Sequence, residues 1–144
     1  MIHANEIRLG NKVQAHGEVI TVQQILSSSL IYDSQIKVSR EVSKVRGSYK
    51  PVYSAPFVEE IKEADFNEID PIVLTPKILE KCGFRNFMRE EWILKIGNSH
   101  YDFEFESDGL RLRHPTPSRI PIQYLHQLQN FLYAIAEYEL ETEL

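Results

Sequence analysis

One cysteine, Cys82, in a chain of 144 residues leaves no internal disulfide and no thiolate metal cluster. Between Lys81 and Gly83 it reads as a small, semi-buried side chain and not as a nucleophile. Long apolar runs are missing as well. The least charged stretch, residues 120–136, has no Asp, Glu, Lys or Arg, yet Gln123, His126, Gln127, Gln129 and Asn130 interrupt it. No segment therefore approaches the roughly 18 consecutive apolar residues of a membrane span. The opening MIHANEIRLG has no apolar stretch of the secretory-signal kind, so a cytoplasmic location is expected. Six glycines are present, but none forms a phosphate-cradling loop. There is no serine-centred nucleophile elbow and no His-Glu-x-x-His helix. Enzymatic action is thus unsupported, and no cofactor or metal is expected.

What is there suffices for a folded core: 42% of the residues are hydrophobic and 10% aromatic. Charge is uneven. Residues 1–57 carry seven basic and four acidic side chains, net +3, and residues 58–144 carry nine and seventeen, net −8, which together give the overall −5. That contrast suits either two surfaces with different partners or two elements packed together. Three regions are expected: a strand-rich segment over 1–57, an acidic connector or short surface helix over 58–70, and a helix–meander–helix segment with an acidic tail over 71–144.

Turn chemistry divides the first region into short strands. Lys12-Val13-Gln14-Ala15 precedes a His16-Gly17 reversal and the alternating run 19–25, and further strands are expected at 30–32 and 36–38. Strands of this length and spacing predict a small curled sheet or an SH3-like barrel. In the last region Thr75-Pro76 opens a helix, because the Thr hydroxyl can accept from an unpaired N–H and proline suits the first helical position. Gly83 closes it. Three strands follow at 91–96, 100–106 and 110–114. Placing Asp108-Gly109 in a type I′ turn sets Glu106 opposite Arg111, Phe105 opposite Leu112 and Glu104 opposite Arg113. The preceding turn uses Gly97-Asn98 or Asn98-Ser99; either puts Trp92, Leu94 and Ile96 on one face with Tyr101, Phe103 and Phe105. Two helices, at 75–82 and 121–138, are available to cover that face. The fold class is α+β: a strand-rich SH3-like segment, a helix, a three-stranded antiparallel meander and a C-terminal helix.

At 100° per residue the closing helix gathers Tyr124, Leu125, Leu128, Phe131, Leu132, Ile135 and Tyr138 on one face. Gln123, His126, Gln127 and Asn130 lie opposite. An amide and imidazole face avoids the desolvation cost of buried charge, so it suits contact with a protein partner or a second copy, or with this chain's own N-terminal sheet.

Three stretches, Asn5-Glu6-Ile7-Arg8-Leu9-Gly10-Asn11, residues 72–79 with Cys82-Gly83-Phe84, and Tyr124-Leu125-His126-Gln127-Leu128-Gln129-Asn130, resemble a family of small proteins encoded by phages, prophages and mobile elements of Bacteroidetes. The matches run in the same order along the chain, and residues 26–69 match little. The resemblance implies an accessory protein of the bacterial cytoplasm and supplies no activity or catalytic residue. Where such proteins end their last helix at a glycine, this chain has Glu137-Tyr138-Glu139-Leu140.

Two further constellations bear on chemistry. Lys37, Arg40, Lys44, Arg46 and Lys50, with Tyr32, Tyr49 and Tyr53 around them, have the makings of a nucleic-acid groove or of a solvated, aggregation-resistant sheet edge. His100, Asp102, Glu104 and Glu106 alternate onto one strand face, where carboxylates suit a divalent cation. The expected arginine pairing makes a solvated sheet face the simpler reading. The leading expectation is a noncatalytic protein-interaction factor, with nucleic-acid binding through 37–50 as the alternative and metal-dependent hydrolysis as an outsider.

Overall fold

In the computed structural model, described over residues 2, 4–25, 29–37, 57–142 and 144, the chain forms two open antiparallel sheets with two helices. The first sheet begins with β1 (Lys12–Ala15) and β2 (Glu18–Ile25), joined at His16-Gly17. Both turn residues have positive φ, 51° and 80°, as a type I′ reversal demands. The expected strands at 30–32 and 36–37 are one strand, β3 (Ser29–Lys37); Val38 lies outside the described residues. The acidic interval expected as a connector is instead β4 (Phe57–Asp65), paired with β3 over nine positions. Its charges misled because an edge strand tolerates and even favours them: they discourage further pairing. A 3-10 turn, Phe66–Glu68, leads to β5 (Ile69–Asp70), which pairs with β1. The order is β4-β3-β2-β1-β5, and no pair closes it into a barrel among the described residues. Val13, Ala15, Ile20, Val22, Ala64 and Ile69 form its core with Ile2 and Ile7.

Helix α1 (Pro76–Lys81) obeys its sequence signals. Thr75 Oγ1 accepts from the Ile78 amide at 3.2 Å, and Gly83 has φ of 90°. The meander beyond it has four strands, not three: β6 (Arg85–Met88), β7 (Glu91–Ile96), β8 (Ser99–Glu106) and β9 (Gly109–His114), in that spatial order. Gly97-Asn98 makes the β7–β8 turn, so Trp92 faces Phe103 and Leu94 faces Tyr101.

The β8–β9 register differs from expectation by two residues. Glu106 pairs with Gly109, Phe105 with Leu110 and Glu104 with Arg111, and the turn is Ser107-Asp108, neither with positive φ. Gly109 is required for another reason. A Cβ there would stand 2.7 Å from the Ile122 carbonyl oxygen, because residues 120–122 cross directly over it. Ile122 exchanges two backbone hydrogen bonds with Leu110, of 2.7 and 2.8 Å, and Leu74 and Leu125 bond to Gln123 and Ile72. Residues 121–124 are consequently extended, and helix α2 starts four residues later than expected, as Leu125–Ala136. A shift of two preserves face parity. Glu106–Arg111 at 3.5 Å and Glu104–Arg113 at 3.8 Å still pair, both now diagonally instead of directly across the strands.

Both helices cover one face of the second sheet. Leu79, Cys82 and Phe84 from the α1 region and Leu125, Leu128 and Leu132 from α2 pack with Trp92, Leu94, Phe103, Leu110 and Leu112. Phe103 is fully buried, with Phe84 and Phe131 edge-on at 5.3 and 6.5 Å.

Candidate functional site

The expected contact face of α2 is an internal seam. His126 has no exposed surface and Gln129 has 2%. Gln129 Oε1 accepts from the Lys12 amide at 2.8 Å and its Nε2 donates to the Gly10 carbonyl at 3.3 Å. Asn130 Oδ1 accepts from Asn11 Nδ2 at 2.9 Å and from Arg8 Nε at 3.2 Å, and its Nδ2 donates to the Glu6 carbonyl at 2.9 Å. Arg8 continues the seam by forking onto both Glu139 oxygens, at 2.8 and 3.3 Å, with its guanidinium 4.3 Å from the Tyr133 ring centre. Of the two remaining members, Gln127 Oε1 accepts from the Gln123 and Tyr124 amides and seals the helix start. Gln123 stays exposed, and its Nε2 donates to the Asp108 carbonyl at 3.3 Å. The fold thus uses this face to dock the N-terminal layer: His126 is wholly buried, and the half-buried Asn130 spends its amide on Asn11, Arg8 and Glu6.

His126 is unusual within the seam. Neither ring nitrogen has a hydrogen-bond partner among the described residues, and Glu6 Oε2 lies 3.9 Å from Nε2. The ring stacks on Tyr124 with a 10° interplanar angle. Burial pushes its pKa below the ordinary histidine value, and the Glu6 carboxylate opposes that shift. Cys82, the only thiol, is buried, and its pKa rises for the same reason with Thr142 opposing. The Thr142 hydroxyl meets no hydrogen-bonding geometry, so burial decides and the thiol is unreactive.

Of the basic series, Lys37 ends β3, and Arg40, Lys44, Arg46 and Lys50 lie outside the described residues. The expected acidic row does not converge as a row. The carboxylates that do meet are Glu90, Glu104 and Glu106, without His100 or Asp102, and Arg113 and Arg111 neutralise the last two.

The surface left open is the other face and free edge of the second sheet. Every residue of β6 is exposed, including Phe87 at 66% and Met88 at 59%. Arg85 stands across from Ile93, and Lys95 across from His100. Together with Phe87, Gly83 and Asn86 they line a depression of about 380 Å³. Arg85, Lys95 and His100 make no ion pair or side-chain hydrogen bond among the described residues, and no described carboxylate lines this depression. Arg111 and Arg113 differ: each is held by carboxylates, Arg111 by Glu106 and Asp108, Arg113 by Glu91 and Glu104. Phe87 and Ile93 also border a second depression, of about 440 Å³, lined by Glu91, Asp102, Arg113 and His114. Sequence reasoning missed β6 because four residues give too short an alternation. The available signal was Gly83 behind it; the turn ahead of it, with Arg89 at φ 46°, uses no turn-forming residue and left no mark in the sequence.

No protein-family model matches this chain, no curated protein matches its sequence, and no solved structure matches its fold.

Proposed function

We propose that this protein is a noncatalytic interaction module, an accessory factor of a phage or mobile element, and that it engages a protein partner through the free edge of β6. The observation that carries this reading is the exposure of Phe87 and Met88 on an edge strand. The opposite policy operates at β4, where Lys62 and Glu63 put charge on the edge strand of the first sheet. An edge with two large apolar side chains and unpaired backbone groups invites strand addition, in which the backbone supplies affinity and alternate side chains supply specificity. No described helix is long and apolar enough to cross a membrane.

Supporting the mobile-element reading, the three stretches that carry the resemblance are neighbours in space. Glu6, Arg8, Gly10 and Asn11 bond to Gln129 and Asn130 across the seam, and Ile72 and Leu74 bond to Leu125 and Gln123. The shared sequence then encodes an architecture, which accounts for its lack of catalytic residues. The passage from β4 through a 3-10 turn to β5 at the far edge supports an SH3-like course for the first layer.

The test is a native pull-down from bacterial lysate that scores protein and nucleic acid, comparing wild type with Phe87→Glu/Met88→Lys. Partner proteins recovered by wild type and lost in the double variant are the expected result. Recovery of nucleic acid alone, lost in Lys44→Glu/Arg46→Glu and unaffected at β6, would overturn the reading.

A further inference from the structure

We infer that the partner segment recognised at β6 is an extended peptide bearing carboxylates, with Arg85 and Lys95 as the residues that select its charge. This rests on the interaction reading above and adds the chemistry of the occupant.

Three observations point the same way. The depression beside β6 combines an apolar floor, Phe87 and Ile93, with a cationic rim, Arg85, Lys95 and His100. Arg85 and Lys95 have no counter-ions, although residues 58–144 hold seventeen acidic side chains against nine basic ones; Lys77, Lys81, Arg89 and Arg119 share that state among the described residues, and it is convergence on one apolar depression that sets Arg85 and Lys95 apart. The neighbouring Arg111 and Arg113 have found carboxylates in the same sheet. Arg85 and Lys95 therefore form a local positive site on an acidic background, complementary to one or two carboxylates delivered from outside.

The same background argues against a polyanion. Nucleic acid threading past Arg85 would run its phosphates by Glu90 and Asp102, which have no ion pair among the described residues, and would have to displace Glu91, Glu104 and Glu106 from Arg113 and Arg111 to gain further cations. A peptide escapes that cost because it can carry charge at only the positions facing Arg85 and Lys95. Its backbone is also the one ligand chemistry that pairs with the unpaired N–H and C=O groups of β6. Alternation then sets the pattern: carboxylate side chains toward the open face, apolar ones toward Met88 and the α1 side.

The experiment uses the full chain and fluorescent peptides of about six residues, enough to pair along the short β6 and overhang it at each end, alternating valine with glutamate, glutamine or lysine. The glutamate peptide should bind roughly tenfold tighter than the glutamine one and lose that advantage in Arg85→Gln/Lys95→Gln or at high salt. Amide chemical shifts should move along β6 and β7. Equal binding of glutamate and glutamine peptides, still lost in Phe87→Ser, overturns the charge inference and leaves the interaction at β6 standing. Binding of none of the peptides, with β6 amides unmoved, overturns both. An oligothymidine of the same length that binds in a manner sensitive to Arg85→Gln/Lys95→Gln makes the site a phosphate reader and overturns the peptide assignment.

Discussion

At the scale of single residues, His126 is the most consequential side chain. It faces Glu6 from the N-terminal segment and Tyr124 from its own chain turn, and it is buried without a hydrogen bond to either ring nitrogen. Its folded pKa lies below the ordinary value, so on acidification the unfolded chain takes up the proton first and the folded state loses stability. The loss begins near pH 6.5, continues down to the lower folded pKa, and has a limiting slope of about 1.4 kcal/mol per pH unit. Urea midpoints measured at about pH 7.5 and pH 5.5 should fall for wild type, and His126→Leu should flatten most of that fall while matching or exceeding wild-type stability at the higher pH, since it removes an unsatisfied polar group. An unchanged acid limb in His126→Leu would place the pH dependence elsewhere. The sequence offered the chain's own N-terminal sheet as one contact for the His126 face, but nothing local chose it over an outside partner. Helical periodicity placed it opposite the leucines, and only the arrival of residues 5–11 from over a hundred positions away converts that face into interior.

Elements show where local signals were sufficient and where they were not. Helix α1 and the His16-Gly17 turn follow from residues within a few positions of one another and formed as the sequence implied, and of the two turns open between β7 and β8 the structure takes Gly97-Asn98. The β8–β9 register did not, because the demand on Gly109 comes from Ile122 crossing above it, a contact that no local pattern records. Strand β4 was hidden by its charge, and β6 by its brevity. Helix α2 is the instructive case: its uncharged composition fits a helix packed on two sides, Leu125, Leu128 and Leu132 against one layer and His126, Gln129 and Asn130 against the other. Its end is less well made. Glu137 occupies the left-handed region at φ 51°, where a glycine has no Cβ penalty, and its amide still bonds back to the last turn. Glu137→Gly should stabilise the protein by about 0.5–1 kcal/mol, the left-handed strain relieved less the entropy glycine adds to the unfolded chain. Thermal melts of the two proteins check it. A decrease would mean that the Glu137 side chain contributes more than its backbone costs.

For the whole molecule the question is how two hydrophobic cores behave as one body. Their junction is a polar seam in which Asn130 alone serves Asn11, Arg8 and the Glu6 carbonyl, and Asn11 is fully buried. Removing the Asn130 amide leaves the fully buried Asn11 donor unpaired, at about 1–3 kcal/mol, while the half-buried Arg8 and the exposed Glu6 carbonyl can turn to water. Asn130→Ala should therefore destabilise and also divide the unfolding. Far-UV circular dichroism reports both layers, whereas the single tryptophan, Trp92, sits only in the second core. The dichroism transition should precede the fluorescence transition in the variant; coincident transitions would show that the layers hold together without the seam.

Cys82 shares that second core with Leu140, from the segment that follows helix α2. As the chain's sole thiol it is a natural clock. A colorimetric disulfide reagent added to the native protein can react only as fast as the C-terminal segment lifts away, so the rate of colour development measures how often the second layer breathes, with no label introduced and no residue altered.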